Sequence, residues 1–515
     1  MLNLTGTQKI TDTLSLLRDT HDVIAELPAG DAVAAVAQIT DALAAINGAD
    51  TLTLEERYDD IHLLDAATVD RTRLLLREYL DTSRQMKQRE AEIWNRAYHC
   101  WRELATAYST CVQRYASDAA AVSAFHKPAR VAVARAIRAS RRQLQWLRIR
   151  YAPPVPAIWT SLADLYAYIE PENIEEEMLI YPGETTTIRH EFLKVLIQSA
   201  LTCENLQPRE QDLLTFIVGR YASSFVLAKS ALAGCTHWFD LKHPAAPAPI
   251  ASVPQPGSDL RYFGPGAALA SLEQALRTLE QTGLVPAEFG FKYPIEPAFL
   301  TPVLTQIYQD WTGQTPSRQH VRQNTNARIT VVPGFRETLD VLVQSIADPF
   351  DFTQKAEVES WVANDISDGG FGAVIPAVSG DWVGVGSVAG IESDVGGEWC
   401  VGVVRRLQRL ADGQQQIGMQ VLSRNAQAVR FMREDSGETK MRITQRMLLD
   451  HAILLTADAA RQKEIELLVN DIAGHDAGNM HMVVGDSVLI VQFKAVLEKM
   501  AVCTHVCFTV LGIES

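Results

Sequence analysis

Along the first three hundred or so residues, apolar positions recur three and four apart; after Pro316 they alternate or bunch into short runs. Residues 10–27 and 32–46 predict two amphipathic helices divided by Pro28-Ala29-Gly30-Asp31, the second rich in alanine, as a helix favours. The clearest period is Trp94, Tyr98, Trp101, Ala105, Tyr108, Val112 and Tyr115, one stripe along a helix. Such a stripe is what a buried bundle helix looks like, so core packing explains it better than an aromatic ligand box. A basic helix follows Pro128, with Arg130, Arg135, Arg138, Arg141, Arg142, Arg148 and Arg150 set among Val133, Ile137, Leu144 and Leu147. These arginines either face a nucleic acid or acidic partner, or pair within the fold, for instance with Glu170, Glu172, Glu175, Glu176 and Glu177; without interleaved base-stacking aromatics the second is favoured. Prolines at 153, 154 and 156 break that helix, and further helices are expected over 159–168, 208–232 and 267–281, around a Pro-rich stretch that suits an extended connector.

Beyond Pro316 the strand candidates are 329–332, 338–343, 357–362, 373–375, 382–391, 399–407 and 417–422, punctuated by glycine or polar turns as in a compact barrel. A last set falls at 441–445, 453–456, 480–484, 488–493 and 502–510, which a second small barrel would accommodate. The fold expected is therefore multidomain: an α-helical N-terminal part, an antiparallel β-barrel, and a small β-rich C-terminal domain. Its divisions are a helical domain over 1–243, a Pro-rich connector over 244–262, a helical segment over 263–314 packing with the N-terminal domain, a barrel over 315–424 and the C-terminal domain over 425–515.

Length and charge narrow the picture. At 515 residues the chain exceeds one core. A net charge of −15 disfavours nonspecific attraction to nucleic acid or anionic membranes, so a basic site for an anionic ligand has to be local. Seven scattered cysteines argue for a reducing compartment. The start of the chain lacks the pattern of a signal peptide, and no apolar run approaches the ~20 residues that span a bilayer. A cytoplasmic protein is expected, without a transmembrane segment and without a nucleic-acid partner.

Several stretches invite chemistry and fall short of it. His190-Glu191 begins like a zinc-protease helix but lacks the second histidine. The run from Gly384 to Gly390 has neither the spacing nor the following helix of a dinucleotide loop. Cys503, His505 and Cys507 alternate along one strand and would share a face, but no fourth ligand is evident, although His475 and His481 are conceivable partners. No metal, cofactor or catalytic residue is expected, because no nucleophile and base pair with one another.

One stretch does carry a specific signal. An apolar strand runs from Trp361 to Asp365-Ile366-Ser367, turns at Asp368-Gly369-Gly370, and resumes at Ala373-Val374-Ile375. Upstream lie Arg318 and Arg322, two forked cations four apart. Arg-x-x-x-Arg followed by Asp-x-Ser-x-x-Gly resembles the ligand-binding signature of the PilZ domain, a small antiparallel β-barrel that binds cyclic di-GMP; the resemblance covers about 315–424. It implies a bacterial second-messenger receptor whose ligand-binding residues are Arg318, Arg322, Asp365, Ser367 and Gly370. The chemistry agrees: an arginine fork meets phosphate oxygens or the O6/N7 edge of guanine with paired hydrogen bonds, a carboxylate accepts from guanine's donor edge, serine can donate or accept, and glycine lets the backbone approach. The spacing from Arg322 to Asp365, 43 positions, leaves room for an excursion near residues 347–352.

The function expected is that of a cyclic di-GMP receptor relaying messenger level to a protein partner through its helical part, with motility, exopolysaccharide or biofilm control as the outputs the resemblance suggests. The alternative is a helical interaction scaffold whose barrel keeps the signature without the ligand. An enzyme is the weakest reading.

Overall fold

The computed structural model describes residues 19–82, 86–117, 126–172, 174–181, 184–254, 257, 259–314, 321–344, 358–376, 382–393, 399–433, 451–470, 478–485 and 487–514. The chain forms two compact units, one of Met1–Cys203 and Pro208–Thr315, the other of Glu204–Gln207 and Pro316–Ser515.

The first unit opens with α1 (Thr20–Ala25), α2 (Ala32–Gly48), α3 (Leu54–Asp81), α4 (Lys87–Ser117), α5 (His126–Ile149) and α6 (Pro156–Ile169). Local chemistry sets their ends. Asp31 caps α2 by accepting from the Ala34 amide, and Thr53 and Glu56 close a reciprocal capping box at the start of α3. On α4 the stripe is core over most of its length: Trp101, Ala105, Tyr108, Val112 and Tyr115 are buried. At its N-terminal end Trp94 and Tyr98 stack with ring centroids 4.9 Å apart, the Trp94 indole donates to the Trp146 carbonyl at 2.7 Å, and Arg150 lies over the Trp94 ring.

The basic helix is α5, and it sits among its neighbours rather than at a surface, packing on α4, α6, α7 (Ile188–Ala200) and α8 (Pro208–Tyr221). Buried alanines at 132, 134, 136 and 139 let those helices close in. Its arginines are spent inside the fold. Arg135 pairs with Asp65, Arg130 with Glu177, and Arg148 donates to the Gln198 and Leu201 carbonyls. Arg141 lies 4.0 Å from Glu191, which also holds Lys194 at 2.7 Å. Burial works against the Glu191 carboxylate, but the charges of Lys194 and Arg141 outweigh it and pull its pKa down from 4.5 to about 2. Glu191 of the His190-Glu191 pair therefore belongs to a buried ion cluster.

Strands appear in this unit that the helical reading of 1–243 overlooks. β1 (Leu179–Tyr181) and β2 (Glu184–Thr186) form a hairpin; β3 (Val226–Ala228), β4 (His237–Asp240), β5 (Ala248–Pro249) and β6 (Leu260–Gly264) form a sheet in the order β3-β6-β4-β5. Within the stretch read as a Pro-rich connector, 244–262, residues 248–249 and 260–262 are thus strands of a sheet. Pro249 is tolerated because β5 is an edge strand, and β6 is buried throughout. The unit ends with α9 (Ala268–Thr282) and α10 (Pro297–Thr312), which pack on each other, α10 also touching α8.

The second unit holds two six-stranded antiparallel barrels. The first contains β7 (Gln323–Asn324), β8 (Arg328–Pro333), α11 (Phe335–Gln344), β9 (Glu359–Ser367), β10 (Gly370–Ile375), β11 (Val388–Ser393), β12 (Trp399–Arg409) and β13 (Gln415–Ser423). The sheet runs β10-β13-β12-β11-β8-β9 and closes by pairing β9 with β10; the short β7 adds to β9. The second barrel contains β14 (Gln427–Arg433), β15 (His451–Leu454), β16 (Glu464–Val469), β17 (Asn479–Val484), β18 (Ser487–Lys499) and β19 (Thr504–Glu514), closed in the order β14-β15-β16-β19-β18-β17. Alternation fills its interior with Ile465, Leu467, Met482, Leu489, Val491, Val506 and Phe508.

Residues 338–343, expected as a strand, lie in helix α11. Phe335, Leu339 and Leu342, spaced four and three, are buried together with Val388, Val401, Val403, Ile453, Leu468 and Cys503, so the helix fills the space between the two barrels. That placement also answers the metal reading of the last strand. Cys503 belongs to this inter-barrel core, where burial pushes its thiol up to about 12, while His505 pairs with Glu466 at 2.9 Å. Among the described residues no three His, Cys, Asp or Glu side chains converge on a common point that could hold a metal ion. Residues 441–445 and His475 lie outside the described residues. Among the described residues, no helix is long and apolar enough to cross a membrane.

Candidate functional site

The β9–β10 corner is built as its sequence suggests. β9 ends at Ser367, a two-residue turn of Asp368 and Gly369 follows, and β10 starts at Gly370, directly opposite Ser367. The Ser367 hydroxyl donates to the Gly370 carbonyl at 3.1 Å and so cinches the turn. Gly370 has φ of +154°, and a Cβ there would lie 2.0 Å from the Met419 carbonyl oxygen, so only glycine fits. Gly372 faces a second constraint: its Cβ would meet the Asp365 carboxylate at 2.7 Å.

Strand alternation sorts what lies inside from what lies outside. Phe371, Ala373 and Ile375 point into the barrel core, which leaves Gly370, Gly372 and Val374 on the outer face of β10. On the neighbouring β13, Ile417 and Met419 are buried, and Gln416, Gly418 and Gln420 take the outer face. Gly372 lies opposite Gly418, so the floor between the two strands is bare backbone edged by polar side chains. This floor belongs to a cavity of about 560 Å³ bordered by Arg322, Asn364, Asp365, Ser367 and Asp368 on one side and by Arg405, Arg406 and Gln408 of β12 on the other. A polar cleft of that size suits a small polar ligand.

Four of the five residues singled out from the sequence thus gather at one cavity: Arg322, Asp365, Ser367 and Gly370. Arg318 lies outside the described residues. Arg322 reaches Asp365 across the cavity edge, Nη1 lying 3.0 Å from Oδ1 and 3.2 Å from Oδ2. The pairing follows from β7, whose Asn324 registers with Asp365 and so brings the preceding arginine beside it.

The sequence reading missed Arg405 and Arg406. Strand alternation would send adjacent residues to opposite faces, but the β12–β13 register slips between Val404 and Arg406, and both arginines border the cavity. Arg405 donates through Nε to the Gln420 side chain at 2.7 Å and through both terminal nitrogens to Glu498 of β18. Arg406 binds Glu204, with Nε 2.6 Å from the carboxylate. The alternation of Gln416, Gly418 and Gln420 was a legible signal for the outer face of β13; the bulge was not.

Residues 18–231 match a family model, described as the N-terminal domain of the cyclic-di-GMP receptor FimW. The match lies in the helical part and does not reach the barrels. A search of curated proteins and a search of solved structures each gave no match.

Proposed function

We propose that this protein is a cyclic di-GMP receptor and that the nucleotide binds in the β9–β10–β13–β12 cavity. The observation that carries the reading is the convergence of Arg322, Asp365, Ser367 and Gly370 on one polar cavity with a bare-backbone floor. Support from an independent part of the chain is the match of residues 18–231 to a receptor family of that name. In this reading Arg322, with Arg318, takes the phosphates or a guanine O6/N7 edge, Asp365 accepts from the guanine donor edge, and the floor of Gly370, Gly372 and Gly418 lets a flat base lie against the backbone. The helical part carries the signal to a protein partner. Binding alone does not move such a partner; the ligand has to prefer one arrangement of the chain over another.

The test is a calorimetric titration with cyclic di-GMP, with GTP as competitor. Saturable binding is expected, and Arg322→Ala should weaken it roughly 10- to 100-fold, the worth of hydrogen bonds to a charged group. An unchanged dissociation constant in the variant would remove Arg322 from the site. A second reading, a scaffold whose barrel binds no nucleotide, draws on one observation: Arg322, Arg405 and Arg406 are each engaged by a carboxylate. It predicts no heat with cyclic di-GMP and partner binding indifferent to the arginine substitutions.

A further inference from the structure

Arg405 stands between two competing demands. It borders the cavity, its Nε is anchored on Gln420, and Gln420 lies opposite Gly370 in the strand register, at the heart of the corner. Its two terminal nitrogens, the fork that suits a phosphate or a guanine edge, are taken up by both oxygens of Glu498, which belongs to the other barrel. Both side chains are about one-third exposed, so the ion pair is solvated and modest in strength.

We infer that Arg405 is a further nucleotide-binding residue, and that Glu498 of the second barrel holds its fork until an anionic nucleotide takes it over. This inference rests on the proposal that the cavity binds cyclic di-GMP. Glu498 then acts as an internal competitor: the anionic ligand and the carboxylate cannot both have the same two donors. Because the coupling is reciprocal, whatever Glu498 subtracts from ligand affinity, the ligand subtracts from the contact between the barrels. The second barrel thereby reports occupancy of the first, and the arginine placed by the β12 bulge is the moving part.

The experiment is a set of cyclic di-GMP titrations on the full chain with Glu498→Gln, Arg405→Ala, the double variant and Arg322→Ala. Glu498→Gln should tighten binding, by roughly 2- to 5-fold, the strength of a partly exposed ion pair. Arg405→Ala should weaken it, and adding Glu498→Gln to Arg405→Ala should restore nothing, since the competitor acts only through that arginine. A variant that merely loosened the fold would weaken binding or leave it unchanged, so tightening distinguishes the release of a competitor from damage. As a second readout, hydrogen exchange at the Glu498 end of β18 should rise on adding nucleotide to the unaltered protein. If Glu498→Gln binds no tighter while Arg322→Ala still loses affinity, the role of Glu498 is overturned and the binding site stands. If the unaltered chain binds no cyclic di-GMP, both fall together.

Discussion

Two sets of arginines, one in each unit, meet carboxylates in opposite circumstances. In the helical unit Arg135 and Arg141 of α5 are buried, with side chains 4% and 8% exposed, against Asp65 and Glu191. Around the barrel cavity Arg322, Arg405 and Arg406 are 47%, 36% and 65% exposed, against Asp365, Glu498 and Glu204. The pairs are chemically alike, but burial changes what they do. A buried ion cannot lose its partner without becoming an unpaired charge in a poorly polarisable medium, so the α5 pairs are fixed. A solvated ion pair costs little to exchange, so the cavity arginines are the ones that the proposed function requires to trade a carboxylate for a phosphate.

The comparison breaks most sharply at Glu191. Replacing it with alanine leaves Lys194 and Arg141 without their shared carboxylate, and a loss of ~3–5 kcal/mol is expected in denaturant unfolding. A loss below ~1 kcal/mol would put this cluster in the same class as the exposed pairs. Acid should probe the same residue. Its folded pKa lies below the unfolded one, so its contribution is complete above about pH 5 and drains away as the pH falls through 4.5 toward about 2. Thermal melts of Glu191→Gln should lose that part of the acid slope; an unchanged slope would assign it to other carboxylates.

Gly370→Ala comes next. Its Cβ would collide with the Met419 carbonyl, and a destabilisation of ~1–3 kcal/mol is expected together with weakened cyclic di-GMP binding. Full stability and full binding would show that the β10–β13 contact yields easily. The smallest stability effect belongs to Arg322→Ala, under ~1 kcal/mol because its pair with Asp365 is half-exposed, although its effect on nucleotide binding should be large. A strongly destabilised Arg322→Ala would mean that the arginine serves the fold, and would erase the contrast between the two units.

How far the sequence reached depends on what each feature obeys. The aromatic stripe of α4 and the alternation in the barrel strands follow from a repeat of 3.6 or 2 residues, and a repeat is visible in one dimension. The Asp-x-Ser-x-x-Gly corner was legible because Ser367 and Gly370 lie within a single turn. Residues 338–343 were misread for an instructive reason. The sequence there carries Thr338, Leu339, Val341, Leu342 and Val343, and β-branched residues favour strands, but burial of Phe335, Leu339 and Leu342 against both barrels needs a helix. Context overrode propensity.

The sequence by itself determined the broad order of the chain, a mainly helical part ahead of the barrel strands, and it determined the chemistry of the corner, because both depend on residues close together. The tertiary structure decided the rest of the site. It placed Arg405 on the same side as Arg406 through a bulge that shifts the register by one residue, and it supplied Glu498 from 93 positions away. A bulge is set by how two strands settle against each other, and a long-range ion pair by which surfaces the fold brings together; neither leaves a period or a local pattern to read.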